Sequence, residues 1–174
     1  MVWFIYALFL ALFFILFTYA WAAFSFAPWV PCFNKDLARI FKLAQFKTGE
    51  IFYDLGCGNG KTVVYAADRF KIKAIGVEFA LPLYFACKIR QIAGRKNNVV
   101  FKWKNLFKEN LANADVVYFF GVPDSIKLKL REKLERELKP GARVISYVFS
   151  VSDWIPDIID KPTPDAASIY LYRR

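Results

Sequence analysis

The 174-residue sequence contains no histidine. This absence excludes Ser-His-Asp hydrolysis, imidazole acid–base catalysis and histidine-ligated metal sites. Cysteine is scarce as well, since Cys32, Cys57 and Cys87 are the only three and no CxxC pair occurs. So few scattered thiols do not indicate a disulfide framework or a zinc site, and we expect no metal. Reduced thiols are typical of a domain that faces the cytosol.

Charged residues are absent before Lys35. The segment from Val2 to Phe26 is almost wholly apolar, and as a helix it would be about 38 Å long. That length crosses a hydrocarbon core about 30 Å thick with some tilt. Aromatic residues near both ends of the segment resemble interfacial belts. We therefore predict a transmembrane anchor over residues 1–27, followed by one domain over residues 28–174.

Two other interpretations of the apolar segment stay open. A cleaved signal peptide is one, since Ala20-Trp21-Ala22 resembles a cleavage site, although the basic region that normally precedes such a segment is missing. A buried core helix is the other, although core helices are seldom so uniformly apolar. Basic residues follow the segment closely, so the positive-inside rule predicts a single-pass protein with its N-terminus outside and its domain in the cytoplasm. They are Lys35, Arg39, Lys42 and Lys47.

The net charge of +10 lies wholly downstream of the apolar segment. Such a charge can hold a domain against anionic lipid. Nucleic acid is the other common partner of a basic domain, but no aromatic–basic nucleic-acid module is present in the sequence. We therefore expect a membrane partner and no nucleic acid.

Short apolar runs and amphipathic segments alternate over the rest of the chain. The predicted strands are 51–55, 74–78, 99–103, 114–120, 142–149 and 169–172. The predicted helices are 34–46, 61–70, 82–93 and 124–138, with Asn34 and Asp124 as caps and residues 150–168 as a loop. This alternation is typical of βαβ units, and it predicts an α/β fold with a Rossmann-like, mainly parallel sheet.

A glycine-rich turn, DLGCGNGK over residues 54–61, joins the first of these strands to a helix. Open α/β sheets bind nucleotides at such junctions, where glycines let the backbone approach a ligand. The GxGxG spacing is neither the GxGxxG of dinucleotide binders nor a phosphate loop. The alternative without a ligand is a tight strand-to-helix connection. The residues that we predict to contact a cofactor here are Asp54, Gly56, Cys57, Gly58, Asn59 and Gly60.

Polar residues follow the next two predicted strands as well. Glu78 ends the second strand, where a carboxylate can accept both hydroxyls of a ribose. Asn105 follows the third strand, where its amide can read an adenine edge. With their neighbours Phe79 and Leu106, these residues predict a pocket for an adenosine that carries an amino-acid tail.

On these motifs the sequence resembles the class I S-adenosylmethionine-dependent methyltransferases, over roughly residues 28–174. The segments 28–31 (PWVP), 120–123 (FGVP), 134–138, 141–145 and 154–156 resemble one subfamily. It comprises the membrane-anchored protein-lysine methyltransferases related to the mitochondrial enzymes that act on the ATP synthase c-ring protein and on adenine nucleotide translocase. The resemblance implies a compact class I fold, S-adenosylmethionine as cofactor, and a membrane protein as substrate.

The resemblance also suggests residues near the reacting atoms. Phe120, Gly121, Val122 and Pro123 follow the fourth strand, beside the cofactor's reactive end in this fold, and are the catalytic candidates. Trp29, Pro31 and Trp154 are the candidates for the substrate channel. Each set also has a purely structural alternative. Residues 120–123 would form a turn before the next helix, Trp29 would be an interfacial anchor, and Trp154 would be a core residue.

The predicted function is methyl transfer from S-adenosylmethionine to a lysine side chain by in-line displacement, at a membrane surface. A donor that is already activated needs only positioning, so the lack of histidine is tolerated. The alternatives are methylation of a membrane-dissolved lipid or quinone, an NAD-dependent oxidoreductase, and a non-enzymatic membrane tether. The glycine spacing disfavours the oxidoreductase.

Overall fold

One seven-stranded sheet organises the protein in a computed structural model that describes residues 2–94 and 96–174. The strands are β1 (Ile51–Leu55), β2 (Lys73–Glu78), β3 (Val99–Trp103), β4 (Val116–Phe119), β5 (Arg143–Tyr147), β6 (Ile158–Asp160) and β7 (Ile169–Arg173). Their order is β3-β2-β1-β4-β5-β7-β6. The first five strands are mutually parallel, and β7 is antiparallel to both β5 and β6. The predicted Rossmann-like α/β fold is thereby confirmed.

Helices cover both faces of this sheet. They are α1 (Val2–Ser25), α2 (Asn34–Ala44), α3 (Lys61–Phe70), α4 (Leu81–Ala93), α5 (Pro123–Ser125) and α6 (Arg131–Glu137), with a π-helical stretch (Ile126–Leu130) between the last two. Buried residues of α2, α3 and α4 share one core with the sheet. The π-helical stretch and α6 contribute to the core on the opposite face. Because both faces are covered, the central strands are apolar on both sides.

The structure corrects several predicted boundaries. The loop predicted for residues 150–168 is wrong at β6, a half-buried edge strand too short to carry an apolar pattern. Asn34 is the first residue of α2 rather than its cap, which is Phe33. The helix predicted to start at Asp124 starts at Pro123 after Val122, and a π-helical stretch interrupts it.

Helix α1 crosses the edge of the sheet at which the parallel strands end. The ring of Phe14 meets Trp103, the last residue of β3, with 6.5 Å between ring centroids. The Leu81 amide, at the start of α4, donates to Thr18 Oγ1 at 3.2 Å. Phe26, just past the helix, is buried beside Phe119 at the end of β4. The helix therefore passes over β4, β1, β2 and β3 in turn, and its first half projects beyond β3.

The first half of α1 is exposed, and within Val2–Ser25 only Thr18 is buried. The helix is long and apolar enough to cross a membrane, by length and composition. A signal sequence shares those two properties, whereas a core helix would be mostly buried. The low burial of α1 is therefore unlike that of a core helix.

Candidate active site

The turn between β1 and α3 contains three glycines at positive φ: Gly56 at +79°, Gly58 at +57° and Gly60 at +74°. A Cβ at Gly58 would lie 2.6 Å from Trp29 Cδ1, so this backbone is in close contact with the segment above it. A Cβ at Gly60 would lie 3.0 Å from Cys87 Sγ, within the core. Gly58 thus serves close approach in the cavity, and Gly60 serves helix packing.

A cavity of about 950 Å³, including its open mouth, lies above this turn. Its floor comprises the ends of β1, β2, β3 and β4, at residues 54–59, 77–80, 104–106 and 118–120. We call residues 14–32, from α1 and the segment that follows it, the roof. Tyr19, Ala22, Phe26, Trp29 and Pro31 of the roof line the cavity.

Glu78 ends β2 on the floor and is only 6% exposed. Its Oε2 accepts from the Gly58 amide at 2.9 Å, and its Oε1 accepts from the Ala80 amide at 2.7 Å. Burial raises the pKa of Glu78, while these backbone amides lower it. Each carboxylate oxygen has a second lone pair. The fixed carboxylate can therefore accept the two hydroxyls of a ribose.

Asn105 lies one strand further along the floor. Its Oδ1 accepts from the Phe107 amide at 2.9 Å and so caps a short 3-10 helix (Leu106–Lys108). This bond fixes the amide orientation and leaves Nδ2 as the donor. Phe79 is stacked against Trp103 with 6.4 Å between centroids, and Leu106 completes an apolar slot. A slot with one amide donor suits the ring nitrogens of an adenine.

Asp54 lies on the other side of the floor, near the end of β1. It is fully buried, and the Thr62 hydroxyl donates to its Oδ2. Burial is the main cause that raises the pKa of Asp54 to about 7; the Thr62 hydroxyl opposes this rise, and the charge of Glu78 adds to it. A buried carboxylate with one hydroxyl partner suits the cationic amino group of an amino-acid tail, because that charge favours the ionised form.

Uncharged side chains surround the part of the floor that lies at the end of β4. Tyr118 pairs with Asp54 across the β1–β4 ladder and is 4% exposed. Burial raises the pKa of the Cys32 thiol to about 11 and raises that of Tyr118 well above its ordinary value. Both groups therefore stay protonated near neutral pH. Phe120 continues this wall, packed against Tyr147 and Phe149.

Besides the contacts of Phe14 and Thr18, further contacts hold the last part of the roof to the domain. Lys61 Nζ donates to the Cys32 carbonyl at 2.8 Å. The Val122 amide donates to the Phe26 carbonyl at 3.3 Å. The Phe26 ring is 5% exposed and packs edge-on against Phe107, with 5.9 Å between centroids. The roof is therefore part of the folded domain.

The structure brings most of the predicted site residues to this cavity. Those that line it are Asp54, Gly56, Cys57, Gly58, Asn59, Glu78, Phe79, Asn105, Leu106, Phe120, Trp29 and Pro31. The other five, Gly60, Gly121, Val122, Pro123 and Trp154, are not among the lining residues. Trp154 donates to Glu135 Oε1 at 2.8 Å and packs on Tyr172, away from the floor. The binding and catalytic roles of all these residues, lining or not, stay predictions.

Sequence reasoning missed Tyr118, Lys61 and Phe26. Tyr118 falls inside an apolar run and is distinguished only by its place in the β1–β4 register. Lys61 resembles an ordinary first residue of a helix, and Phe26 resembles the end of the apolar segment. Their roles depend on contacts distant in sequence, which a local pattern does not encode.

The donor set of the cavity fits S-adenosylmethionine. Two buried carboxylates lie at the ends of neighbouring strands, with an amide donor on one side and neutral walls on the other. Within residues 2–94 and 96–174, no group of three or more Cys, Asp or Glu side chains is arranged to hold a metal ion.

Comparisons with known proteins agree with this chemistry. The ANTKMT methyltransferase domain matches residues 54–158. A protein-lysine N-methyltransferase of Saccharolobus islandicus (strain REY15A) is 34% identical over 154 residues, which are 83% of this chain and 92% of that protein. The mouse adenine nucleotide translocase lysine N-methyltransferase is 30% identical over 130 residues, 74% of this chain but only 56% of the mouse protein.

A solved structure shows the same fold with a bound product. It is an RNA methyltransferase from Salinibacter ruber in complex with S-adenosyl-L-homocysteine, with a TM-score of 0.77 and 28% identity over 83% of this chain and 93% of that one. The cavity, its carboxylates and these similarities agree. The chain belongs to the ANTKMT methyltransferase domain family and is an S-adenosylmethionine-dependent methyltransferase.

Proposed function

We propose that this enzyme methylates the side-chain amine of lysine on a membrane protein, close to the bilayer surface. One observation carries the proposal: the helix that can span a membrane also lines the cofactor cavity, through Tyr19, Ala22 and Ala23. The curated relatives are named for lysine methylation, and adenine nucleotide translocase is the named substrate of one of them. Both similarities support an acceptor of this kind.

The proposed arrangement has residues 1–27 as the anchor and residues 28–174 as the catalytic domain in the cytoplasm, with residue 1 outside the described part of the chain. Lys35, Lys42 and Lys47 follow the anchor and support this orientation. Arg39 contributes less to lipid attraction than the sequence suggests, because its guanidinium is paired with Asp36 and Asp160.

The floor assigns a task to each half of the bound cofactor. Glu78 and Asn105 would hold the adenosine, and Asp54 the amino-acid end. S-adenosylmethionine would supply a methyl group on a sulfonium sulfur: the amine nitrogen bonds to the methyl carbon in line, the carbon–sulfur bond breaks, and S-adenosylhomocysteine leaves. With the adenosine and the amino-acid end held in this way, the methyl group would face the wall of Tyr118 and Phe120.

The incoming lysine must arrive as the free amine. Its unperturbed pKa near 10.4 falls when the ammonium is desolvated. Neutral walls at Trp29, Tyr118 and Phe120 provide that desolvation without a strong base, and the proton leaves to solvent. Of the four candidates at 120–123, Phe120 lines the cavity, so its carbonyl is our candidate to accept a hydrogen bond from the amine.

A membrane-dissolved lipid or quinone is the second candidate acceptor. The roof residues Tyr19, Ala22 and Ala23 favour it, because they are part of α1 and so join the cavity to the helix that can span a membrane. A protein lysine remains the first choice, because the curated relatives are lysine methyltransferases.

The test is transfer of an isotopically labelled methyl group from S-adenosylmethionine to isolated membranes by the full-length enzyme. We expect the label on lysine of a membrane-protein peptide, identified by mass spectrometry. Label confined to the solvent-extracted lipid fraction would establish the second candidate, and label in added RNA would contradict both. Glu78→Ala is the control, since it should lose transfer to every acceptor.

A further inference from the structure

The outward face of α4 is apolar, unlike that of the other long helices of the domain. Phe85, Ile89 and Ile92 are 56%, 69% and 72% exposed and lie three or four residues apart, so they form one stripe. The exposed positions of α3 are Asp68 and Arg69 instead. A surface helix normally directs charged residues outward. A stripe of this kind marks a surface that meets an apolar partner.

The path of α1 identifies that partner. Helix α1 leaves the domain at the contact between Phe14 and Trp103, at the end of edge strand β3. Helix α4 packs over β2 and β3, at the same side of the sheet. The exposed half of α1 and the apolar stripe of α4 therefore belong to one side of the molecule.

The length of the exposed half of α1 decides how close the domain lies to the bilayer. Residues 2–13 rise only about 18 Å as a helix. A hydrocarbon core of about 30 Å needs roughly 20 residues, so a span made of the described helix Val2–Ser25 and beginning at Val2 extends to near Trp21. The point where the domain first touches α1, at Phe14, then lies roughly 10 Å below the hydrocarbon boundary. With α1 spanning in this position, the β3 side of the domain lies in the lipid interface.

We propose that the Phe85–Ile89–Ile92 stripe of α4, with Trp103, inserts into the lipid interface beside α1. The inference rests on the proposed membrane anchoring, and it adds a second contact between the domain and the lipid. Interfacial helices sink about 5–10 Å into the headgroup and acyl boundary, which matches the depth that α1 imposes. Trp103 is 45% exposed, and tryptophan is enriched at that depth. Lys88 and Arg90 flank the stripe, with Lys88 Nζ donating to Gln91 Oε1 at 2.7 Å and Arg90 Nε donating to the Asn59 carbonyl at 3.1 Å.

This placement also sets the height of the reacting end. Phe26 and Trp29 follow Trp21 by a few residues, so the wall at the end of β4 lies within roughly 10 Å of the hydrocarbon boundary. The enzyme would then reach lysines at headgroup level, and lysines on tall extramembrane domains would be out of reach.

The experiment places a fluorophore on full-length protein in phosphatidylglycerol-containing nanodiscs, with nitroxide-labelled lipids as quenchers. Single cysteines replace Phe9, Ile89 or Leu128 in a Cys32→Ser background, where Cys57 and Cys87 are buried. Leu128 is the matched control, because it is 67% exposed and lies in the helical layer on the opposite face of the sheet. We expect quenching at Phe9→Cys and Ile89→Cys and at least about threefold less at Leu128→Cys.

The outcomes separate the two proposals. Unquenched Phe9→Cys means that α1 is not in the bilayer, which overturns the anchoring itself. Quenched Phe9→Cys with unquenched Ile89→Cys overturns only the insertion of α4. Cross-linking of Ile89→Cys to a second copy in the same discs would assign the stripe to a dimer and also overturn the insertion.

A functional measurement accompanies the depth measurement. The double variant Ile89→Glu/Ile92→Glu should methylate a nanodisc-embedded target at least about threefold more slowly, while S-adenosylmethionine affinity in detergent stays unchanged. Leu128→Glu should leave both quantities unchanged. Equal rates for the double variant and the unmodified protein would contradict insertion.

Discussion

The floor and the roof of the cavity differ in how the sequence encodes them. The floor residues follow consecutive strands, each with a polar or glycine residue at the strand end. The roof belongs to an apolar helix and a proline-rich segment with no polar motif. The fold brings Phe26 within 6.4 Å of Phe119, centroid to centroid, across most of the domain sequence. Strand-end chemistry therefore identifies a cofactor, while long-range packing decides how it is enclosed.

The largest effect is expected where floor and roof touch. Gly58→Val introduces a branched side chain at φ +57° against Trp29, so S-adenosylmethionine affinity should fall at least about 100-fold, measured by calorimetry. Gly49→Val is the control, since Gly49 has φ +85° but no atom within 4 Å of its Cβ. Equal affinities for the two variants would mean that the contact with Trp29 does not matter.

Removing a roof anchor should destabilise the whole domain. Phe26→Ala deletes a ring buried between Phe107 and Phe119, and we expect a loss of about 3–5 kcal/mol in the free energy of unfolding in detergent. Phe9→Ala changes an exposed residue of the same helix, so its unfolding free energy should match that of the unmodified protein. An unaffected Phe26→Ala protein would make the roof a separate lid.

Removing a floor carboxylate should weaken binding, and it also leaves the Gly58 and Ala80 amides without their acceptor. Glu78→Ala removes the acceptor of the ribose hydroxyls, and charge-assisted bonds contribute about 1.5–3 kcal/mol each, so affinity should fall at least about tenfold. Glu132→Ala, on the exposed face of α6, is the control. Unchanged affinity for Glu78→Ala would exclude ribose binding at this residue.

The pKa of Asp54 predicts a pH dependence of both binding and stability. Burial raises it from 3.8 to about 7, so the folded state holds a proton that the unfolded state has released. The stability of the cofactor-free protein should therefore fall as pH rises from 3.8 towards about 7. Affinity for the cationic amino end should rise severalfold through the same window, as titrated by calorimetry. Asp54→Asn should flatten both profiles.

The smallest effect concerns the bond between Lys61 and the Cys32 carbonyl. One such hydrogen bond contributes about 0.5–1.5 kcal/mol, so Lys61→Met should speed cofactor dissociation by about two- to tenfold in stopped-flow measurements. Lys42→Met, on the exposed side of α2, should leave the rate unchanged. A rate for Lys61→Met equal to the control would show that the roof opens without breaking this bond.

The sequence predicted the fold well, because alternating strands and helices restrict the topology. The predicted bounds of β1 and β3 are those of the structure. The small edge strand β6 could not be predicted, since three half-buried residues carry no pattern. The exposed apolar face of α4 could not be predicted either, because apolar residues around a helix suggest burial on all sides, and only the structure shows Phe85 and Ile89 outside.

The sequence likewise identified some residues of the candidate site and not others. Glu78 and the glycine turn are found by their place after a strand, whereas Tyr118 needs the register between β1 and β4. The boundary between anchor and domain, predicted after residue 27, stays a prediction. Burial of Phe26 means that a shortened protein should begin before that residue to retain the core.

The docking of α1 on the cavity has a consequence for regulation by lipids. A helix changes its tilt when bilayer thickness changes, and the last turns of this helix are fixed to the end of β4 through Phe26. If α1 spans the bilayer as proposed, a thicker or thinner bilayer would rotate the enzyme about its own active site. We expect turnover on embedded targets to depend on acyl-chain length, as a direct mechanical response of the enzyme to its host membrane.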